Sequence, residues 1–131
     1  MVPMEEIVPQ LDLEAALYRM GGDLDLLCEV GIIFLKECPS ALEGLRAAVA
    51  VKNPRDIERR AHSLKGSVST FGAGEAVLAV FELEQQGRNH NLTEVDSNLR
   101  RFECALTRLC AELQTLVSRT EPRTQGCRLK T

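Results

Sequence analysis

The chain has 131 residues with a net charge of -3, and a hydrophobic fraction of 44% with aromatics at only 4% suits one domain built from Leu, Ala and Val. The acidic balance, with no basic stripe interleaved with aromatics, argues against nucleic-acid binding. No apolar run approaches a membrane span, and Met1-Val2-Pro3-Met4-Glu5-Glu6 has neither a basic start nor a signal segment, so a cytoplasmic protein without membrane attachment is expected.

Helix signals recur along the whole length. Asp12 is placed to cap a short helix through Met20, closed by Gly21-Gly22. Asp23 caps the next, which turns Leu24, Leu27, Val30, Ile33 and Phe34 toward a core and meets Pro39 near its end. A further apolar segment carries Leu42, Leu45, Ala48 and Val49, and the sequence leaves open whether Pro39 kinks one long helix or separates two. Asn53 as cap and Pro54 at the first helical position then open a helix to about Phe71. Its stripe is Ile57, Ala61, Leu64, Val68 and Phe71, spaced four, three, four and three.

Gly72 and Gly74 mark a turn. The following helix presents Val77, Val80, Phe81 and Glu84 to the bundle and is read as ending at Gly87, near Arg88. Asn89-His90-Asn91 forms a loop in which His90 faces solvent, and Thr93 with Asp96 resembles a capping box. The last helix repeats Val95, Leu99, Phe102, Leu106, Leu109, Leu113 and Leu116 in four-three spacing. Such a seam serves antiparallel bundle packing, with a coiled-coil homodimer as its competing use. Periodicity stops after Ser118, so residues 119–131 are read as a flexible tail or linker remnant behind a domain spanning 1–118. The expected fold is all-α: an antiparallel four-helix bundle, monomeric, with one or two short additional N-terminal helices.

The residue the apolar pattern does not explain is His62. One position past Ala61, it is turned about 100° off the core stripe, onto an edge shared with Arg55, Glu58, Arg59, Lys65, Gly66 and Ser69. Gly66 costs about 1 kcal/mol in a helix interior relative to alanine, and one turn beyond His62 it clears the approach to the imidazole. Lys65 places a cation beside the ring. In a hairpin about Gly72, His62 lies ten residues before the turn and Glu84 twelve after it, so the carboxylate can reach the imidazole. A carboxylate that accepts Nδ1–H leaves Nε2 a free lone pair, and such a neutral imidazole is a nucleophile.

Other chemistry is poorly supplied. The five cysteines, Cys28, Cys38, Cys104, Cys110 and Cys127, are odd in number and lack metal-site spacings, so they read as reduced thiols. Neither histidine lies three or four residues from a second histidine or a cysteine, and no serine or cysteine shows a base and an orienting partner.

Ala61-His62-Ser63-Leu64-Lys65-Gly66-Ser67, then Phe71-Gly72-Ala73, Leu83-Glu84 and Gly87-Arg88, closely resembles the histidine-containing phosphotransfer (HPt) domain of phosphorelays. The likeness covers most of the chain, from Asp12-Leu13 to about Ser118. It implies that His62 accepts a phosphoryl group on Nε2 from a receiver phospho-aspartate and passes it to another receiver. It also implies that Lys65 stabilises the phosphate, that Gly66 keeps the docking surface open and that Glu84 bonds Nδ1. Arg88 would add positive charge near the site, and Arg59 and Ser69 lie on the same docking edge. Without a P-loop, a kinase glycine loop or an acidic metal cluster, the chain is expected to be a phosphocarrier, not an enzyme, with no cofactor of its own and Mg²⁺ supplied by the receiver.

The partners so implied are receiver domains of response regulators or a hybrid sensor kinase, with the chain either free-standing or cut from such a kinase. Two alternatives stand beside it. One is the phosphotransfer module of a chemotaxis-type kinase, suggested by Ser69-Thr70-Phe71-Gly72. The other is a bundle used only for protein interaction.

Overall fold

The computed structural model describes residues 9–72 and 74–129, with side chains as far as Arg119. Five helices follow one another: α1 (Leu13–Arg19), α2 (Leu24–Ala50), α3 (Pro54–Ser69), α4 (Gly74–Arg88) and α5 (Val95–Leu129), and no strand occurs among the described residues. In the four-helix bundle α3 packs on α4, α4 on α5, α5 on α2 and α2 on α3; α1 lies against α2. Each long helix therefore buries a face against two neighbours. The core joins Leu27, Leu45, Ile57, Ala61, Phe71 and Val80 to Phe102, Leu106, Leu109 and Leu113. The α5 seam, which the sequence also offered to a homodimer, is spent inside the chain on α2 and α4.

The helix starts follow the expected caps. Asp12 accepts from the amide of Ala15 at 3.1 Å, Asp23 from that of Leu26 at 3.0 Å and Asn53 from that of Asp56 at 3.2 Å. Thr93 does not complete a capping box. Its hydroxyl donates to Asn91 Oδ1 at 3.2 Å instead, and α5 begins at Val95, too close for Thr93 to serve as its cap.

Pro39 lies inside a continuous α2 and does not separate two helices. It is exposed, so the carbonyl that its ring leaves unbonded can turn toward water.

Helix ends show where composition misleads. α4 is not closed by Gly87. His90, at φ 56°, takes the left-handed position, with its amide bonded to Gly87 O at 3.2 Å and that of Asn91 to Gln86 O at 3.0 Å. Lys52 closes α2 in the same way, its amide bonding Val49 O while that of Asn53 bonds Ala48 O. Gly87 instead is buried, where an added Cβ would lie 2.7 Å from both Glu58 N and Pro54 O, so its missing side chain lets α3 and α4 approach.

Two residues expected in the core are exposed: Ile33 at 54% and Phe81 at 43%. Each sits at the edge of its helix stripe, and Ala76, Ala79, Val80, Leu83 and Glu84 form the buried face of α4. Helical backbone also runs past Ser118 to Leu129, because ending the apolar repeat removes a packing face without breaking the helix. The side chains of 120–131, on which the expected tail rests, lie outside what is described, that of Cys127 among them.

The segment before α1 is stitched to the bundle. Gln10 is buried and its Oε1 accepts from the amide of Ala76 in the first turn of α4 at 3.2 Å, a cap delivered from 66 residues away. The amides of Gln10 and Leu11 donate to the Glu112 carboxylate at 3.1 and 2.7 Å, and that of Asp12 to Phe71 O at 2.9 Å. Together these bonds fix the α3–α4 turn on which the register of His62 against Glu84 depends.

Candidate functional site

The off-stripe position of His62 on α3 leaves its side chain 69% exposed, while Glu84 on the facing helix is 1% exposed. Their contact is 2.7 Å, His62 Nδ1 to Glu84 Oε2. Gly87 keeps the two helices close enough for it, since it presents no side chain where α4 meets the α3 backbone at Pro54 and Glu58.

Two further groups converge on the same carboxylate. Lys65 Nζ lies 2.7 Å from Oε1, and Arg88 reaches Oε2 at 3.5 Å while its Nε donates to Glu58 at 2.9 Å. Lys65 is only 27% exposed, and its ammonium also stands over the Phe81 ring, 5.2 Å from the centroid. Burial pushes the Glu84 carboxyl up, but Lys65 and His62 beside it outweigh that effect and hold it below the usual carboxylate range.

That electrostatic balance fixes the tautomer. An ionised carboxylate can only accept, so Nδ1 carries the proton of the neutral ring and the free nitrogen of that tautomer is Nε2. The arrangement is an aimed and accessible imidazole, held by a buried carboxylate that two cations also approach.

The remaining predicted residues fall at different distances from it. Arg55, Glu58, Arg59 and Arg88 line a shallow cleft with His62 and Glu84. Arg59 and Arg60 both pair with Asp56, one turn away on α3, and hold its carboxyl below its ordinary range chiefly through the Arg60 hydrogen bond, which outweighs burial. Gly66 is open: a Cβ there would meet nothing within 4 Å, so no contact inside the chain requires a glycine. Ser69 ends α3 and lines neither that cleft nor the one between α2 and α3.

Sequence reasoning missed Phe81 as the ring beneath Lys65 and Glu58 as the partner that holds Arg88. A signal for the second was present in the pairing of opposite charges on facing helix edges; the exposed Phe81 looked like a core residue. His90 is exposed at the helix end, as expected of a loop residue, and does not line the cleft. The described residues contain no cluster of three metal-ligating side chains and no helix long and apolar enough to cross a membrane.

Known proteins share this fold. The crystal structure of histidine-containing phosphotransfer protein B (HptB) from Pseudomonas aeruginosa PAO1 superposes with a TM-score of 0.78 at 21% sequence identity, covering 86% of this chain and 97% of that one. At that identity the likeness speaks for the fold. No curated protein matches the chain by sequence. A family model described as the Hpt domain matches residues 30–119, well over half of the chain and including His62, Lys65, Gly66 and Glu84. The chain belongs to the Hpt domain family, the histidine phosphotransfer proteins of two-component signalling.

Proposed function

We propose that this chain relays phosphoryl groups between receiver-domain aspartates through Nε2 of His62. The observation that carries the reading is the 2.7 Å contact between His62 Nδ1 and a buried carboxylate, on a ring that otherwise faces solvent.

In the proposed step, Nε2 attacks the phosphorus of a receiver acyl phosphate in line with the departing oxygen. The N–P bond forms as the P–O bond breaks, and the aspartate leaves as a carboxylate. Nε2 carries no proton, so no general base is needed. The phosphorylated ring gains positive charge, which the Nδ1–H bond to Glu84 stabilises. Reversal onto a second receiver delivers the group.

Lys65 supplies positive potential from its place on Glu84, Mg²⁺ comes from the receiver, and the role of this chain is that of a phosphocarrier. Receiver docking would cover the open surface at Gly66, with Arg55, Arg59 and Arg88 matching an acidic receiver pocket.

The test is transfer from a panel of labelled phospho-receivers with Mg²⁺ to the wild type and to His62→Gln. Acid-labile, base-stable label on the wild type alone is expected. Label from no receiver onto a protein whose circular dichroism is intact would overturn the relay, and labelling by ATP through a separate kinase domain would replace it with the kinase-module reading.

A further inference from the structure

Cys38 on α2 and Cys110 on α5 are 72 residues apart in sequence, yet their Sγ atoms stand 3.8 Å from each other. Both are free thiols. Cys38 is 6% exposed, whereas Cys110 is only half-buried and open to a small reagent from the α5 side. The other described cysteines differ: Cys28 is buried and Cys104 exposed, and neither meets a second sulfur among the described residues.

From this juxtaposition we infer that Cys38 and Cys110 form an oxidisable dithiol, a modification site at which a hydroperoxide closes a reversible α2–α5 disulfide. The bond needs the sulfurs to close from 3.8 Å to about 2.05 Å, a movement within reach of two side-chain rotations on packed helices.

The chemistry divides between the two positions. Cys110 is held below the usual thiol range by the hydrogen bond with Cys38, against the opposing effect of burial. Cys38 is pushed up by that same bond and by burial. Exposure sets the order: a hydroperoxide reaches the half-buried Cys110 sulfur first, as its thiolate, and the buried Cys38 thiol follows as the resolving partner. Cys110 thiolate attacks the terminal oxygen of the hydroperoxide, the O–O bond breaks, and the departing alkoxide takes a proton from water to leave as an alcohol. The resulting Cys110 sulfenic acid is attacked by the Cys38 sulfur, which loses its proton as the S–S bond forms and water departs. Two thiols are oxidised and one peroxide is reduced.

The site adjoins the phosphotransfer face without belonging to it. Cys38 lines a cleft between α2 and α3 with Phe34, Glu37, Ser63 and Ser67, and Ser63 follows His62 directly. Closing the bridge draws the Cys38 sulfur toward α5 and pins that wall of the cleft.

The full chain is treated with hydrogen peroxide, excess thiol is alkylated and the digest is mapped by mass spectrometry, beside Cys110→Ser and a reduced control. The expected result is a peptide pair joining Cys38 to Cys110, with loss of two hydrogens and reversal by dithiothreitol. A rise of roughly 10 °C in the thermal midpoint should accompany the bridge, as a loop of this length implies, and neither effect should occur in Cys110→Ser. The inference is overturned if Cys38 and Cys110 stay alkylatable after peroxide has consumed Cys104, or if Cys110 links only between chains.

Discussion

Replacing Glu84 tests the centre of the site most directly. Its carboxylate is buried and meets His62 at 2.7 Å, Lys65 at 2.7 Å and Arg88 at 3.5 Å. Removing one partner of a buried ion pair costs about 3–5 kcal/mol when the other is stranded. Here little is stranded: Arg88 keeps Glu58, the His62 ring already faces water, and Lys65, 27% exposed, can turn its ammonium to solvent. A loss nearer 1–2 kcal/mol is therefore expected for Glu84→Gln, read as a lower urea midpoint with an unchanged slope. The kinetic effect should be of similar size. A hydrogen bond to a charged group is worth about 1.5–3 kcal/mol, and losing the lower end of that range in aiming the ring slows transfer by roughly tenfold. Glu84→Leu, which fills the space but accepts nothing from Nδ1–H, should show that loss in stopped labelling with a phospho-receiver. Glu84→Gln keeps an acceptor oxygen and should lose less. A folded Glu84→Leu that accepts phosphate at the wild-type rate would refute the reasoning, and equal losses in Leu and Gln would show that charge matters and orientation does not.

Three further outcomes follow from the same geometry. Because the folded Glu84 carboxyl lies below its ordinary value of 4.5, its contribution to stability is present above about pH 4.5 and is lost as pH falls through the lower folded value; the stability gap between wild type and Glu84→Gln should close over that acid range in urea titrations. Gly66→Gln adds a side chain where a Cβ meets nothing, so the thermal midpoint should rise by the equivalent of about 1 kcal/mol while transfer from phospho-receivers falls at least tenfold. Gly87→Ala forces a Cβ to 2.7 Å from the α3 backbone and should cost about 1–3 kcal/mol in urea unfolding, with slower labelling of His62 as α3 and α4 are pushed apart.

What could be read from the sequence was whatever depends on local spacing. The three side-chain caps, the stripe on α3, the seam on α5 and the approach of Glu84 to His62 across a hairpin all follow from helical period and turn position. What could not be read depends on partners far along the chain. Nothing near Gln10 says that its amide will cap α4, and nothing near Gly87 distinguishes a helix end from a close approach of two backbones. His90 and Lys52 take left-handed positions for which glycine is the usual signal, so composition pointed to the wrong residue at the end of α4. At the site, Phe81 and Arg88 were placed by residues on α3, which periodicity within α4 cannot encode.

The two glycines that matter most are spent in opposite directions. Gly87 gives up its side chain inward, and the resulting approach of α3 to α4 sets Glu84 against His62. Gly66 gives up its side chain outward, where the chain itself has no use for the space. Under the proposed relay, a carrier that works in both directions needs both. It must hold the imidazole in the same attitude with or without phosphate, and the Nδ1–H bond to Glu84 can do so because phosphorylation at Nε2 leaves Nδ1 untouched. It must also admit one receiver after another to the same ring, which a fixed, open helix face allows without any conformational change in the carrier. Under the proposed relay the direction of transfer is then set by the receivers, since the surface this chain offers is the same for donor and acceptor.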